Sequence, residues 1–194
     1  MPEMKVNNSL SEHVITNYLA ELSLAFKEFP QKELTILAAR ILSTVPNGSI
    51  FVAGNGGSAT TASHMATDLG VGSLRRQNPV RCISLVDNAG VITATGNDID
   101  FASIFSQQLK LLAKPEDILI CFSASGNSEN LVKAVKTAKD MKMFTVGITG
   151  FDGGKLKQLC DLSIHFPTNI GSYGVVEDLH STVSHVVTEI IRAS

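Results

Sequence analysis

The chain has 194 residues, 44% of them hydrophobic and 18% charged, with 16 Lys plus Arg against 18 Asp plus Glu and a formal net charge of −2. That length suits one domain, and the composition is too apolar for a disordered chain and too nearly neutral for a duplex nucleic-acid binder. Trp is absent and Tyr occurs only as Tyr18 and Tyr173, which also argues against an aromatic base-stacking platform.

The opening MPEMKVNNSLSEHV has no apolar stretch of the signal-peptide kind, and no apolar run reaches the roughly 18–20 residues of a membrane span. Cys82, Cys121 and Cys160 form neither a paired framework nor a CxxC. A cytoplasmic protein with reduced thiols, no membrane partner and no nucleic-acid partner is expected.

Two helical patterns come first. Val14, Ile15, Tyr18, Leu19, Leu22 and Phe26 recur at three- and four-residue spacings, Ser9 or Ser11 is placed to cap them, and Pro30 ends the run. Leu34, Leu37, Ala38, Ile41 and Leu42 form a second stripe, closed by Pro46, Asn47 and Gly48. Short apolar runs follow at 49–53, 81–86, 117–122, 143–149 and 161–166. Helical patterns alternate with them near 58–70, 101–113, 127–141, 154–159 and 175–192. Strands that alternate with helices pair in parallel, and continuous apolar runs belong to strands covered on both faces. The expected architecture is an α/β fold: a doubly wound, five-stranded parallel sheet between helices, preceded by a helical hairpin. The hairpin occupies 8–45 and the sandwich 49–194 of a single domain spanning 1–194. The first apolar stripe is broad, so it packs either on the sheet or against another subunit.

Two loops carry the first functional signal. Gly54-Asn55-Gly56-Gly57-Ser58-Ala59 follows the first strand and opens a helix. Its glycines permit close backbone approach to a ligand, and a helix N-terminus favours an anion. The pattern also reads as G-x-G-x-x-A, the dinucleotide fingerprint, but the acidic residue due about 20 residues later is missing. Ser123-Ala124-Ser125-Gly126-Asn127-Ser128 follows the third strand and opens another helix. Hydroxyls grouped at a helix N-terminus make a cup for a small phosphate. Both loops stand at strand C-terminal ends, where open α/β sheets bind ligands. The pair points to a phosphorylated small molecule.

Groups able to do chemistry lie on two helices. His64 and Asp68 are i, i+4 and share a face. Glu177, Asp178, His180 and His185 lie on the last helix. Glu177 and His185 are eight residues apart, a rise of about 12 Å, so they reach one centre only if it lies between them.

GNGGSA at 54–59, GND at 96–98, SASGNS at 123–128 and TGFDGGKL at 149–156 together resemble the sugar isomerase (SIS) fold. More closely, they resemble the bacterial phosphoheptose isomerases, which convert sedoheptulose 7-phosphate to a D-glycero-D-manno-heptose 7-phosphate. The resemblance runs over nearly the whole chain, hairpin included. It implies a zinc site at His64, Asp68, Glu177 and His185. Asp68 and His185 fall on the family's acid/base pair, and Glu177 is a second carboxylate able to move a proton. Substrate contacts fall on Asn55, Gly56, Gly57, Asp68, Asn97, Asp98, Ser123, Ala124, Ser125, Ser128 and Glu177. The resemblance also implies a homotetramer, whose active sites are shared if the two helices carrying these groups do not meet within one chain.

Four positions depart from the family pattern. Asp68 replaces a Glu, Glu177 a Gln, Ala124 a Thr and Gly174 an Asp. His/Asp/Glu/His still suits Zn²⁺ or a similar divalent ion. The leading expectation is an aldose–ketose isomerase acting on a phosphosugar. A non-catalytic sugar-phosphate binding or regulatory module of the same fold, including a replication-initiation partner, keeps both loops and needs no acid/base group. A dinucleotide oxidoreductase rests on G-x-G-x-x-A alone.

Overall fold

The computed structural model describes residues 8–194. The start of the segment read for a signal peptide, residues 1–7, lies outside the described residues. Two helices, α1 (Asn8–Lys27) and α2 (Gln31–Thr44), precede the first strand. The rest alternates as β1 (Ile50–Ala53), α3 (Gly57–Gly72), β2 (Cys82–Ser84), α4 (Ala89–Asp98), a 3₁₀ turn at Phe101–Ser103, α5 (Ser106–Leu112), β3 (Ile118–Ser123), α6 (Glu129–Asp140), β4 (Phe144–Thr149), α7 (Gly154–Leu159), β5 (Leu162–His165) and α8 (Tyr173–Ala193).

The five strands form one parallel sheet in the order β2-β1-β3-β4-β5. Alternate residues of each strand feed opposite cores. Ile50, Val52, Ile118, Ile120, Phe122, Val146 and Ile148 face α2, α3 and α8. Phe51, Ala53, Leu119 and Cys121 face α5, α6 and α7. Both faces are covered, which is why these strands read as unbroken apolar runs. The order reverses between β1 and β3, so their following loops diverge and leave a crevice at the switch point. Those two loops are the glycine loop and the serine loop.

Three local expectations are corrected. Ser9 and Ser11 lie within α1, which the structure describes from Asn8, and not at the N-cap position read for them. The pattern at 101–113 begins as a 3₁₀ turn and becomes α-helical only at Ser106. A helix that the periodicity did not suggest, α4, is started by Asn88, whose side-chain oxygen accepts from Val91 N at 3.1 Å. This helix buries no residue, so it carries no apolar stripe to read.

Helix α2 buries Leu34, Leu37, Ala38 and Ile41, as its stripe indicates. Helix α1 buries none, and Leu10, Val14, Ile15, Leu19 and Leu24 are all more than half exposed. Among the described residues no helix is long and apolar enough to cross a membrane.

Candidate functional site

Helices α3 and α8 both start at the C-terminal edge of the sheet and run side by side. Residues about 120 apart meet along the seam: Gly57 with Glu177, His64 and Asp68 with His185, and Gly72 with the Arg192 guanidinium. The two helices therefore meet within one chain, and the sequence-based reason for sharing these groups between subunits falls away.

At the top of the seam, the Glu177 carboxylate lies over the backbone of Gly57, in the space a Cβ would take. Ala59 N and Thr60 N are the first amides of α3 to bond back, both to Gly56 O. The glycine loop thus already faces a carboxylate at the helix N-terminus, where negative charge is favoured. The serine loop holds no carboxylate of this kind and lines a cleft with Ser123, Ser125 and Ser128. Ser123 Oγ accepts from Gly126 N at 3.1 Å, and Ser125 Oγ accepts from Asn127 N at 3.2 Å. Each hydroxyl keeps its own proton to donate. Ser128 stands at the N-cap of α6 and its side chain makes no cap bond.

Two neighbours hold this loop in shape. Gly126 has φ +64°, and a Cβ there would collide with the Gly153 carbonyl on the loop after β4. Asn127 bridges the same loops, donating to Ser125 O at 3.0 Å and accepting from Lys155 N at 3.1 Å. Across the switch point, the amides of Asn55 and Asn130 exchange two hydrogen bonds of 2.9 and 2.8 Å. The resulting cleft of about 180 Å³ is lined by Asn55, Ser58, Phe122, Ser123, Ala124, Ser125, Ser128, Tyr173 and Glu177. Ser58, Phe122 and Tyr173 were not among the expected site residues. Tyr173 opens α8 and packs its ring edge-on against Phe151, 5.1 Å between centroids, a contact no local sequence pattern announces.

Further down the seam, Asp68 Oδ2 lies 3.2 Å from His64 Nε2 and 3.9 Å from His185 Nε2. The two imidazoles meet edge-on, 5.0 Å between centroids. One ligand atom from each of the three residues falls within 4.8 Å of the others. Two imidazoles and one carboxylate so placed could hold a divalent metal ion. Glu177 is not part of this cluster. Two α-helical turns separate it from His185, and its carboxylate lies over Gly57 beside the cleft, so the structure brings together three of the four expected ligands. Asn97 and Asp98 end α4, with Asn97 Nδ2 donating to Asp98 Oδ1 at 2.8 Å. Neither lines the cleft nor joins the triad. Gly56, at φ +54°, turns the chain into α3, with open space around it.

His180 faces inward. It is fully buried against Phe122, 5.6 Å between ring centroids, with no hydrogen-bond partner on either ring nitrogen. Burial lowers its pKa from 6.5 to about 3. The three thiols are free and line none of the site, and burial pushes the Cys121 thiol well above its ordinary value.

A family model described as SIS domain matches residues 16–150. The chain belongs to the SIS domain family. Within that family it is phosphoheptose isomerase-like. The phosphoheptose isomerase of Helicobacter hepaticus is 37% identical over 180 residues, covering 92% of this chain and 91% of its own. That of Aquifex aeolicus is 35% identical over 177 residues, covering 89% and 90%. Among solved structures, the phosphoheptose isomerase of Neisseria gonorrhoeae matches with a TM-score of 0.85 at 28% identity, over 95% of this chain and 100% of that one. The phosphoheptose isomerase of Francisella tularensis matches with a TM-score of 0.87 at 27% identity, over 98% and 100%. The N-terminal hairpin is part of what these SIS proteins share with this one, since the matches run over nearly the entire chain.

Proposed function

We propose that this SIS protein is an aldose–ketose isomerase that interconverts sedoheptulose 7-phosphate and D-glycero-D-manno-heptose 7-phosphate. The observation that carries the reading is the seam itself. A serine-lined anion cup, a free carboxylate and a His/Asp/His triad follow one another along α3 and α8. Relatives covering nine-tenths of the chain and named for this reaction support it.

Ser123, Ser125 and Ser128, with the N-terminal amides of α6, hold the phosphate. That anchors the sugar by its remote end and spans the cleft with its reacting carbons. The reaction moves a proton between C1 and C2 through an enediol, which needs a base within hydrogen-bond reach. Glu177 and Asp68 are the two carboxylates available for that transfer. His185 is the group placed to open the ring or protonate the oxygen. Bound to His64, Asp68 and His185, a divalent ion such as Zn²⁺ supplies Lewis-acid polarisation of the carbonyl oxygen. Gly56 leaves room for the sugar beside Asn55, while Gly57 leaves room for the Glu177 carboxylate. Asn97 and Asp98 stand outside the cleft of their own chain, which suits a contribution to a neighbour's site in a homotetramer. The whole chain, 1–194, acts as one SIS domain, and free thiols suit the cytoplasm.

The test is turnover of sedoheptulose 7-phosphate followed by NMR, with and without added Zn²⁺. Interconversion is expected, with Glu177→Ala and Asp68→Asn each lowering it. Binding of the sugar phosphate without interconversion would make this a regulatory module instead.

A further inference from the structure

Helix α8 carries Glu177 but lacks a cap of its own. Ser172, at its N-cap, makes no side-chain bond to the helix. Its hydroxyl instead donates to Glu21 Oε2 at 3.0 Å. The other oxygen of Glu21 accepts from Asn169 N at 3.4 Å and Asn169 Nδ2 at 3.2 Å. One turn earlier on α1, the Tyr18 hydroxyl donates to Asp178 Oδ2 at 2.6 Å. That bond, together with burial and the surrounding carboxylates, raises the Tyr18 pKa from 10 to about 12. So two side chains of α1 grip residues 169–178 at three points, although α1 buries no side chain.

Gly174 completes the grip. A Cβ there would stand 3.1 Å from the Tyr18 hydroxyl and 3.2 Å from its ring, tighter than most real contacts. Glycine at this departure from the family pattern makes room for the phenol. Asp178 is the neighbour of Glu177 in sequence, so the phenol holds the turn from which Glu177 reaches Gly57.

We propose that Tyr18 and Glu21 are positioning residues: they fix the first turn of α8 and thereby hold the Glu177 carboxylate over Gly57, facing the serine loop. This rests on the isomerase reading of the same cleft. Neither residue touches the phosphate cup, so they act on the reacting end of the sugar and not on its anchor. A displacement of a reacting group by about 1 Å can cost about 10²-fold in rate.

The test is steady-state kinetics on the full chain, paired with amide hydrogen exchange. Tyr18→Phe and Glu21→Ala are each expected to lower kcat about tenfold, with KM for the phosphosugar within twofold of wild type. Asp178→Ala should match Tyr18→Phe, while Asp178→Asn, whose amide oxygen still accepts from the phenol, should restore most of kcat. Exchange at residues 175–178 should quicken about tenfold in Tyr18→Phe, with 183–191 unchanged. Unchanged kcat in both α1 variants overturns the proposal, as does a loss in Asp178→Asn equal to that in Asp178→Ala. If the wild-type protein turns over no heptose phosphate, the isomerase reading fails. Exchange at 175–178 then decides the clamp alone, and unchanged protection there sinks it.

Discussion

The carboxylate of Glu177 occupies the space above Gly57 that any side chain would fill. Gly57 has an ordinary helical role, so its lack of a Cβ is explained by this neighbour and not by backbone strain. Gly57→Ala should therefore fold normally and push the carboxylate aside. We expect kcat to fall at least tenfold, with affinity for the sugar phosphate retained. Retained kcat in this variant would show that Glu177 does not act from this position.

The serine cup makes a separable prediction. A hydrogen bond to a charged group is worth about 1.5–3 kcal/mol, and 1.4 kcal/mol is tenfold in affinity. Ser125→Ala and Ser128→Ala should each raise KM for the phosphosugar by about 10- to 100-fold, with a smaller effect on kcat. Inhibition by inorganic phosphate should weaken in parallel. An unchanged KM in both variants would move the phosphate elsewhere.

The triad predicts one divalent ion per chain, measured by elemental analysis after zinc loading and desalting. His64→Ala, His185→Ala and Asp68→Asn should each bind markedly less. Glu177→Ala should bind as much as wild type, because its carboxylate lies off the triad. Equal loss in Glu177→Ala would restore the four-ligand set.

The seam also shows how far sequence reasoning reaches. All five strands and the i, i+4 pair His64 and Asp68 are legible, because period and spacing are local properties. The pairing of that face with His185 is not local. It depends on α3 and α8 lying side by side over the same sheet face, which follows only once the order β2-β1-β3-β4-β5 is known. For the same reason, spacing alone leaves open whether Glu177 joins the ligands. In the structure its carboxylate lies over Gly57, apart from the three residues that converge. Helix α4 stayed hidden because it buries nothing, and Tyr173 because its partner Phe151 comes from another loop.

Helix α1 keeps Val14, Ile15 and Leu19 each 57% exposed, on a twenty-residue helix with no buried side chain. A face of that kind suits self-complementary pairing of copies. Light scattering at micromolar concentration should give four times the 20.7 kDa chain mass. Leu19→Glu with Ile15→Glu should reduce it. A mass of one chain for the wild type would contradict the assembly.

His180 contributes to the acid side of stability, as does His165, whose pKa burial also lowers. The pKa of His180 is lowered by burial from 6.5 to about 3 in the folded protein, so between these values the unfolded chain binds the proton and the folded chain does not. Stability then rises with pH across that window and is lost as pH falls from about 6.5. One such group contributes a slope of about 1.4 kcal/mol per pH unit. Urea unfolding at pH 7.0, 6.0 and 5.0 should show this slope developing below pH 6.5. His180→Leu should flatten it. The variant should also lose little stability at pH 7, because both ring nitrogens lack a partner and removing buried unpaired polar atoms costs little. A slope that persists in His180→Leu would mean that other groups drive the acid transition.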